Sequence, residues 1–232
     1  MEFAPSPWYS SPRSGPNRER QPAMNRWEHR IEGAHVIKLL VGPMENNVYI
    51  LGCTNTGKAV VVDAADEAER IIDAASDYDV QAILTTHGHQ DHLQAVDQVS
   101  DKLGVPFLLN AEDLFLLEEA GIEKAAPDGL IRDRQEIAVG DLLLHAVHTP
   151  GHTPGSTSFV LEPWLFSGDT LFPGGPGATQ WDYSSFGQIM DSVEQLLSTY
   201  PDPTVVFPGH GANDTTVATE KPHTGEWRAR GW

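Results

Sequence analysis

The stretch "THGHQDH" at 86–92 sets His87, His89, Asp91 and His92 within six positions. Imidazole and carboxylate are ligands that zinc, iron and manganese all accept, and spacing does not choose among those ions. Alternate residues of an extended segment project to one side, so His87 and His89 are placed to grip one ion. Asp91 and His92, turning into a following helix, face a second. Three more candidates stand where an apolar run gives way to a Gly/Pro loop: His152 in "HTPGHTPGS", Asp169 in "LFSGDTLF" and His210 in "VFPGHG". Taken singly, a histidine is more often a satisfied core or surface residue, and an aspartate before Thr170 is an ordinary turn residue. The combination carries the metal reading, because rigid strands that deliver such side chains to loops at one edge are how sites are built. The seven suffice for two ions, with Asp169 able to bridge them through its two oxygens. His29, His35, His145, His148 and His223 are read as structural or surface histidines, with support for the loop that carries His152 as the alternative for His148.

These residues need a scaffold, and the pattern supplies one. "AHVIKLLV" (34–41), "NVYILGC" (47–53) and "KAVVVDA" (58–64) are β-branched runs broken by Gly, Pro and Asn. "ADEAERIIDAAS" (65–76) reads as a helix with acids at its positive end. The buried strand "VQAILTT" (80–86) leads to the histidine cluster. His92, Val96, Val99 and Leu103 then recur at helical spacing up to Gly104, a C-terminal stop, so His92 points inward with the apolar stripe. The second half repeats the style, with strands at 141–149, 156–162, 164–169 and 204–209 and a helix near 184–199. Stacked sheets covered by helices, an α/β arrangement, are expected.

Composition bounds the rest. The 232 residues, 40% apolar, are enough for one globular domain. The first 23, with five prolines among Ser and Arg, lack apolar periodicity and are expected to be disordered. The expected domain is 28–232 with 1–27 as its tail, and Met24 is the expected native start. Residues 31–232 hold 10 of the 15 Lys and Arg but 30 of the 33 Asp and Glu, a formal −20. Such a field repels phosphate backbones, which excludes nucleic acid as partner and leaves a small-molecule substrate. No apolar run approaches the ~20 residues of a spanning helix, so no membrane partner is expected. The single Cys53 excludes an internal disulfide and fits a reducing compartment. No charged segment followed by an apolar one opens the chain, so the cytoplasm is the expected location. The oligomeric state is open, and a homodimer is compatible with the sequence.

"THGHQDH", "HTPGHTPGS", "SGDTLF" (167–172) and "FPGHG" (207–211) together resemble the metallo-β-lactamase superfamily, and within it the glyoxalase II-like hydrolases. The resemblance runs in order from about residue 34 to 211. It implies a four-layer αβ/βα sandwich with the metals at one edge of two sheets. It also implies that His87, His89 and His152 hold a first ion, that Asp91, His92 and His210 hold a second, and that Asp169 is shared. The expected cofactor is a pair of divalent ions, zinc first and iron or manganese as alternatives. The reaction so implied is hydrolysis by a metal-bound hydroxide, since a metal lowers the pKa of bound water from ~16 to ~7. Asp91 would orient that hydroxide. A thioester suits the site, because a thiolate leaves at neutral pH without a dedicated acid.

The chain departs from that family where substrate is bound. Glyoxalase II proper follows its Asp-Thr-Leu-Phe with a G-x-G-[KR] turn and an aromatic two positions on, both touching glutathione. Here Ala178 and Gln180 stand at those positions, and only 22 residues follow His210 where that family has a helical domain. Another thiol carrier or a smaller ester is therefore open beside glutathione. The ending "TEKPHTGEWRARGW" resembles short glyoxalase-like proteins of actinobacteria, in which another low-molecular-weight thiol takes that place. A one-iron persulfide dioxygenase of the same fold would use the equivalents of His87, His152 and Asp169, but usually carries an R-G-C-G-R turn where this chain has "PGGPGAT" (173–179). An intracellular lactonase would share all seven ligands. Trp181 and Tyr183, in the 172–184 loop, are candidates to line the pocket and equally candidates for the core.

Overall fold

The computed structural model describes residues 25–121 and 126–231. The expected disordered tail and the expected start at Met24 lie outside the described residues. The first sheet holds β1 (Arg26–Ile31), β2 (Ala34–Val41), β3 (Asn46–Cys53), β4 (Lys58–Val62), β5 (Asp79–Leu84), β6 (Phe107–Asn110) and β7 (Gly129–Ile131), paired in that order. Its first four strands are antiparallel and the rest parallel. The second sheet takes β8 (Glu136–Val139), β9 (Leu142–His148), β10 (Thr157–Leu161) and β11 (Trp164–Gly168). After a small hairpin, β12 (Leu171–Phe172) with β13 (Gly175–Pro176), β14 (Val205–Pro208) and β15 (Thr215–Thr216) complete it, in the order β15-β14-β11-β10-β9-β8.

Burial on both faces explains why the central strands read as continuous apolar runs rather than alternating ones. Every residue of β2 and β3 is buried. Ile37, Leu39 and Ile50 turn toward α1 (Ala68–Ala75) and α2 (Val96–Leu103), packing with Ile71, Val96 and Val99. Their neighbours Val36, Tyr49 and Leu51 turn the other way, onto Leu144, Phe159, Phe166 and Phe207 of the second sheet. The outer face of that sheet, Val160, Leu165 and Val206, is covered after the short α3 (Leu117–Ala120) by α4 (Phe186–Thr199), then by the one-turn α5 (Val217–Glu220) and by α6 (Thr224–Arg230). The result is the expected four-layer sandwich.

Two expectations need correction. β1 begins at Arg26, inside the stretch read as tail, because its pattern of half-buried and exposed residues is that of an edge strand with only one partner. α2 begins at Val96, not at His92; His92 closes a single tight turn, Gln90–His92, instead. Its inward direction holds nonetheless, since His92 is 0% exposed. No helix among the described residues is long and apolar enough to cross a membrane.

Candidate metal centre

Six strand ends meet at one edge of the sandwich. β5 runs out through Thr85 and Thr86 into His87, β9 through Thr149 toward His152, β11 at Gly168 into Asp169, and β14 at Pro208 into His210. β4 ends against Asp63, and β3 starts at Asn46. The edge is stitched crosswise by main-chain bonds, Asn47 N to Gly209 O (2.7 Å) and Gly209 N to Gly168 O (2.8 Å). Gly209 has no substitute here, because a Cβ would collide with Oδ1 of Asp169. Beneath the loop that follows His210, the buried Lys38 ammonium donates to Ala212 O (3.2 Å) and to Asp214.

All seven residues singled out in the sequence converge at this edge. They form three overlapping groups, His87–His89–His152, His87–His92–Asp169 and Asp91–His92–His210, each with its candidate donor atoms within 4.8 Å of one another. Nδ1 of His89 lies 3.0 Å from Nε2 of His87 and 2.9 Å from Nε2 of His152. Nε2 of His92 and His210 are 3.2 Å apart. Asp169 reaches toward both sides, Oδ2 at 3.5 Å from His152 Nε2 and 3.3 Å from His210 Nε2, Oδ1 at 3.5 Å from His92 Nε2. Asp91 Oδ2 lies 3.3 Å from His210 Nε2.

The outward nitrogens explain why those atoms are free to face in. His92 Nδ1–H donates to Asp63 Oδ2 (2.9 Å), His152 Nδ1–H to Ala178 O (2.7 Å) and His210 Nδ1–H to Met44 O (3.0 Å). His87 Nδ1 meets Thr86 Oγ1 (3.1 Å), whose own hydrogen goes to Asp63 Oδ2 (2.8 Å), so the imidazole is the donor. His89 Nε2 meets the Tyr183 hydroxyl (2.9 Å). Among His87, His89 and His152, with the outer nitrogens protonated, bare lone pairs face one another at about van der Waals contact. Only cations between them make that arrangement favourable, and imidazole held by an outer partner is the form that binds a metal. Oδ1 of Asp169, buried and without a hydrogen-bond partner, points the same way. The residues fit a pair of metal ions.

Electrostatics divide the cluster. Burial, with the neighbouring imidazoles adding to it, holds His87 well below the ordinary histidine value. Burial together with His152 takes His89 down to about 3, and burial lowers His152 against the pull of Asp169. On the other side burial is overruled. Asp91, Asp169 and Asp63 push His92 up to about 9, and Asp169 and Asp91 raise His210 well above its usual value. Burial would raise the carboxyls of Asp91 and Asp169, but the facing charges of His92 and His210 hold both far below the carboxylate range.

The sequence reading missed two buried carboxylates that build this geometry. Asp63, at φ +57°, accepts from Thr86 N (2.7 Å), Thr86 Oγ1 and His92. An acid ending the apolar run "KAVVVDA" was the available signal. Asp113, 0% exposed, accepts from Gly88 N (2.8 Å), Thr153 Oγ1 (2.7 Å) and Gly155 N (2.6 Å), clamping the loop of His87 and His89 to the loop of His152. Nothing in "NAEDLFLL" distinguishes it from Glu112. Asn46, also missed, donates to Asp91 Oδ2 (2.8 Å). His148 does support the His152 loop, donating from Nε2 to Pro154 O (2.8 Å). Among the described residues, His29, His35, His145 and His223 join none of the three groups.

An aromatic rim stands beside the cluster. Trp181 packs on His89 and His152, with ring centres 4.5 and 5.2 Å away. Tyr183 is stacked parallel to Trp181 at 6.1 Å, and Phe115, 46% exposed, meets Tyr183 edge-on at 5.3 Å.

Comparison with known proteins gives a consistent set. A family model described as the metallo-beta-lactamase superfamily matches residues 41–210. The chain is 33% identical over 199 residues to the probable metallo-hydrolase YqgX of Bacillus subtilis, covering 79% of this chain and 93% of that one. It is 32% identical over 179 residues to the hydroxyacylglutathione hydrolase GloC of Haemophilus influenzae, covering 70% and 84%. Among solved structures, the B3 metallo-beta-lactamase BLEG-1 superimposes with a TM-score of 0.71 at 32% identity, covering 81% of this chain and 96% of that one. ETHE1 from Myxococcus xanthus gives 0.71 at 28%, covering 82% of each. The protein TTHA1623, solved in a di-iron-bound form, gives 0.70 at 30%, covering 79% and 96%.

Proposed function

The chain belongs to the metallo-β-lactamase superfamily, and from that premise we propose that it is a two-metal thioesterase, cleaving an S-acyl conjugate of a low-molecular-weight thiol. The observation that carries the proposal is the convergence of five imidazoles and two carboxylates into three overlapping donor groups. In this reading His87, His89 and His152 hold a first ion, Asp91, His92 and His210 a second, and Asp169 spans both. Such ions, zinc before iron or manganese, supply an acidified water and polarise an acyl oxygen.

The chain's own groups do the rest. Asp91, steadied by Asn46, accepts a hydrogen bond from the attacking water and turns its lone pair toward the acyl carbon. Trp181 and Tyr183 offer an apolar wall beside the first subsite, against which an acyl group or thiol is held and water displaced. The leaving group departs as a thiolate, whose ordinary pKa near 8.5 removes the need for a proton donor.

The relative named as a hydroxyacylglutathione hydrolase supports the thioester. The thiol itself is left open by Ala178, whose carbonyl is taken by His152, and by the exposed Gln180, which stand where glutathione contacts would be. The single cysteine, Cys53, is free and buried, in keeping with a cytoplasmic enzyme. The test is the metal content of protein purified without added metal, paired with turnover of thioesters, lactones and a persulfide. Two ions per chain and preferred thioester hydrolysis are expected. A single iron with oxygen uptake on the persulfide would overturn the proposal in favour of a dioxygenase.

A further inference from the structure

The first subsite is gripped from outside by one short segment that the second subsite does not touch. Between the small hairpin and α4, Ala178 O takes the Nδ1 hydrogen of His152, Ser184 Oγ donates to His152 O (2.9 Å), and Ser185 N donates to Gly151 O (2.8 Å). Trp181 covers both His89 and His152. The second subsite is held instead by Asp63, Met44 O and Asn46.

Within the first subsite His89 is the exception. Four of the five rings turn Nε2 inward and are anchored through Nδ1 by a carboxylate, a carbonyl or a hydroxyl already committed to Asp63. His89 turns Nδ1 inward, is only half-buried, and is anchored through Nε2 on the Tyr183 hydroxyl. An imidazole's χ2 is broad and two-fold, so a ring without an outer anchor exchanges its inward nitrogen for a carbon.

We propose that Tyr183 is a positioning residue for the first ion subsite, fixing His89 with Nδ1 inward while leaving the second subsite unaffected. The inference rests on the two-ion reading above, but its test reads ion affinity and does not require that the substrate class be right. Removing an outer partner of a metal-binding histidine typically costs 10–100-fold in affinity.

The experiment isolates each subsite: His210→Ala leaves the first to titrate with zinc alone, and His152→Ala leaves the second. Adding Tyr183→Phe to the first background is expected to weaken zinc about 10-fold or more, and adding it to the second to change affinity less than about twofold. Unchanged affinity in the first background, or equal weakening in both, overturns the proposal. Tyr183→Trp keeps an aromatic ring but offers only an N–H, which cannot accept from His89. It is expected to behave as Phe does, and wild-type affinity in this variant would show that packing, not the hydrogen bond, holds His89.

Discussion

The two halves of the metal centre are built from the same side chains and solve opposite problems. Around His87, His89 and His152 the outer partners are neutral, the hydroxyls of Thr86 and Tyr183 and the carbonyl of Ala178, and burial keeps all three imidazoles uncharged. Around His92 and His210 stand Asp63, Asp91 and Asp169, and both rings hold protons when no cation is present. The first subsite is therefore ready for an ion, whereas the second must exchange a proton for one. The difference comes from the partners: carboxylates surround the second, whereas the first is closed by hydroxyls and a carbonyl, on loops clamped by Asp113 and by the segment that ends at α4.

The largest test removes what the halves share. Asp169→Ala is expected to abolish binding of both ions and lower thioester turnover by about a thousandfold or more, as befits several kcal/mol of lost transition-state stabilisation. Retention of two ions by this variant, measured by metal analysis, would sink the assignment.

Asp113→Ala strikes the first half alone. It strands the N–H groups of Gly88 and Gly155, while the Thr153 hydroxyl keeps Ser156 Oγ as its partner, and urea unfolding should show a loss of about 4 kcal/mol. In the protein that remains folded, the ion held by His87, His89 and His152 should be released first. Earlier loss of the other ion would break the comparison.

The halves should also pull metal-free stability in opposite directions with pH. An unfolded histidine near 6.5 takes up protons below that value, while folded His89 does so only near 3, so stability falls as pH drops below 6.5. His92, raised from 6.5 to about 9, contributes stability that is complete below 6.5 and lost as pH climbs through 9. That contribution is on the order of 3 kcal/mol. With a chelator present, the urea midpoint should peak near 6.5, and a midpoint still rising at pH 9 would contradict the proton held at His92.

The smallest effect is expected outside both halves. His145→Ala, an exposed position on β9, should change stability by no more than about 0.5 kcal/mol and leave ion content alone.

Much of this was legible in the chain. The apolar runs of β2, β3, β5 and β14 read correctly because strands buried on both faces need unbroken β-branched sequence. β1 went unread because an edge strand carries only a weak pattern, and His92 was drawn into a helix because a tight turn and a helix share their first spacing. The seven donors were found because histidine and aspartate in Gly/Pro loops after strands have few structural reasons to recur. Their supports were not, since an acid that bonds amides and an acid that faces water look alike in sequence.

The residue types and order thus determined which side chains come to the edge and that they suit metal ions. Only the tertiary structure decided how they divide. Proton affinity and ring orientation depend on what lies within hydrogen-bond reach, and the partners concerned, Asp63 to His92, Ala178 to His152, Tyr183 to His89 and Met44 to His210, are separated by 26 to 166 positions along the chain. No local pattern carries distances of that kind; they exist once two sheets have packed and their strand ends meet.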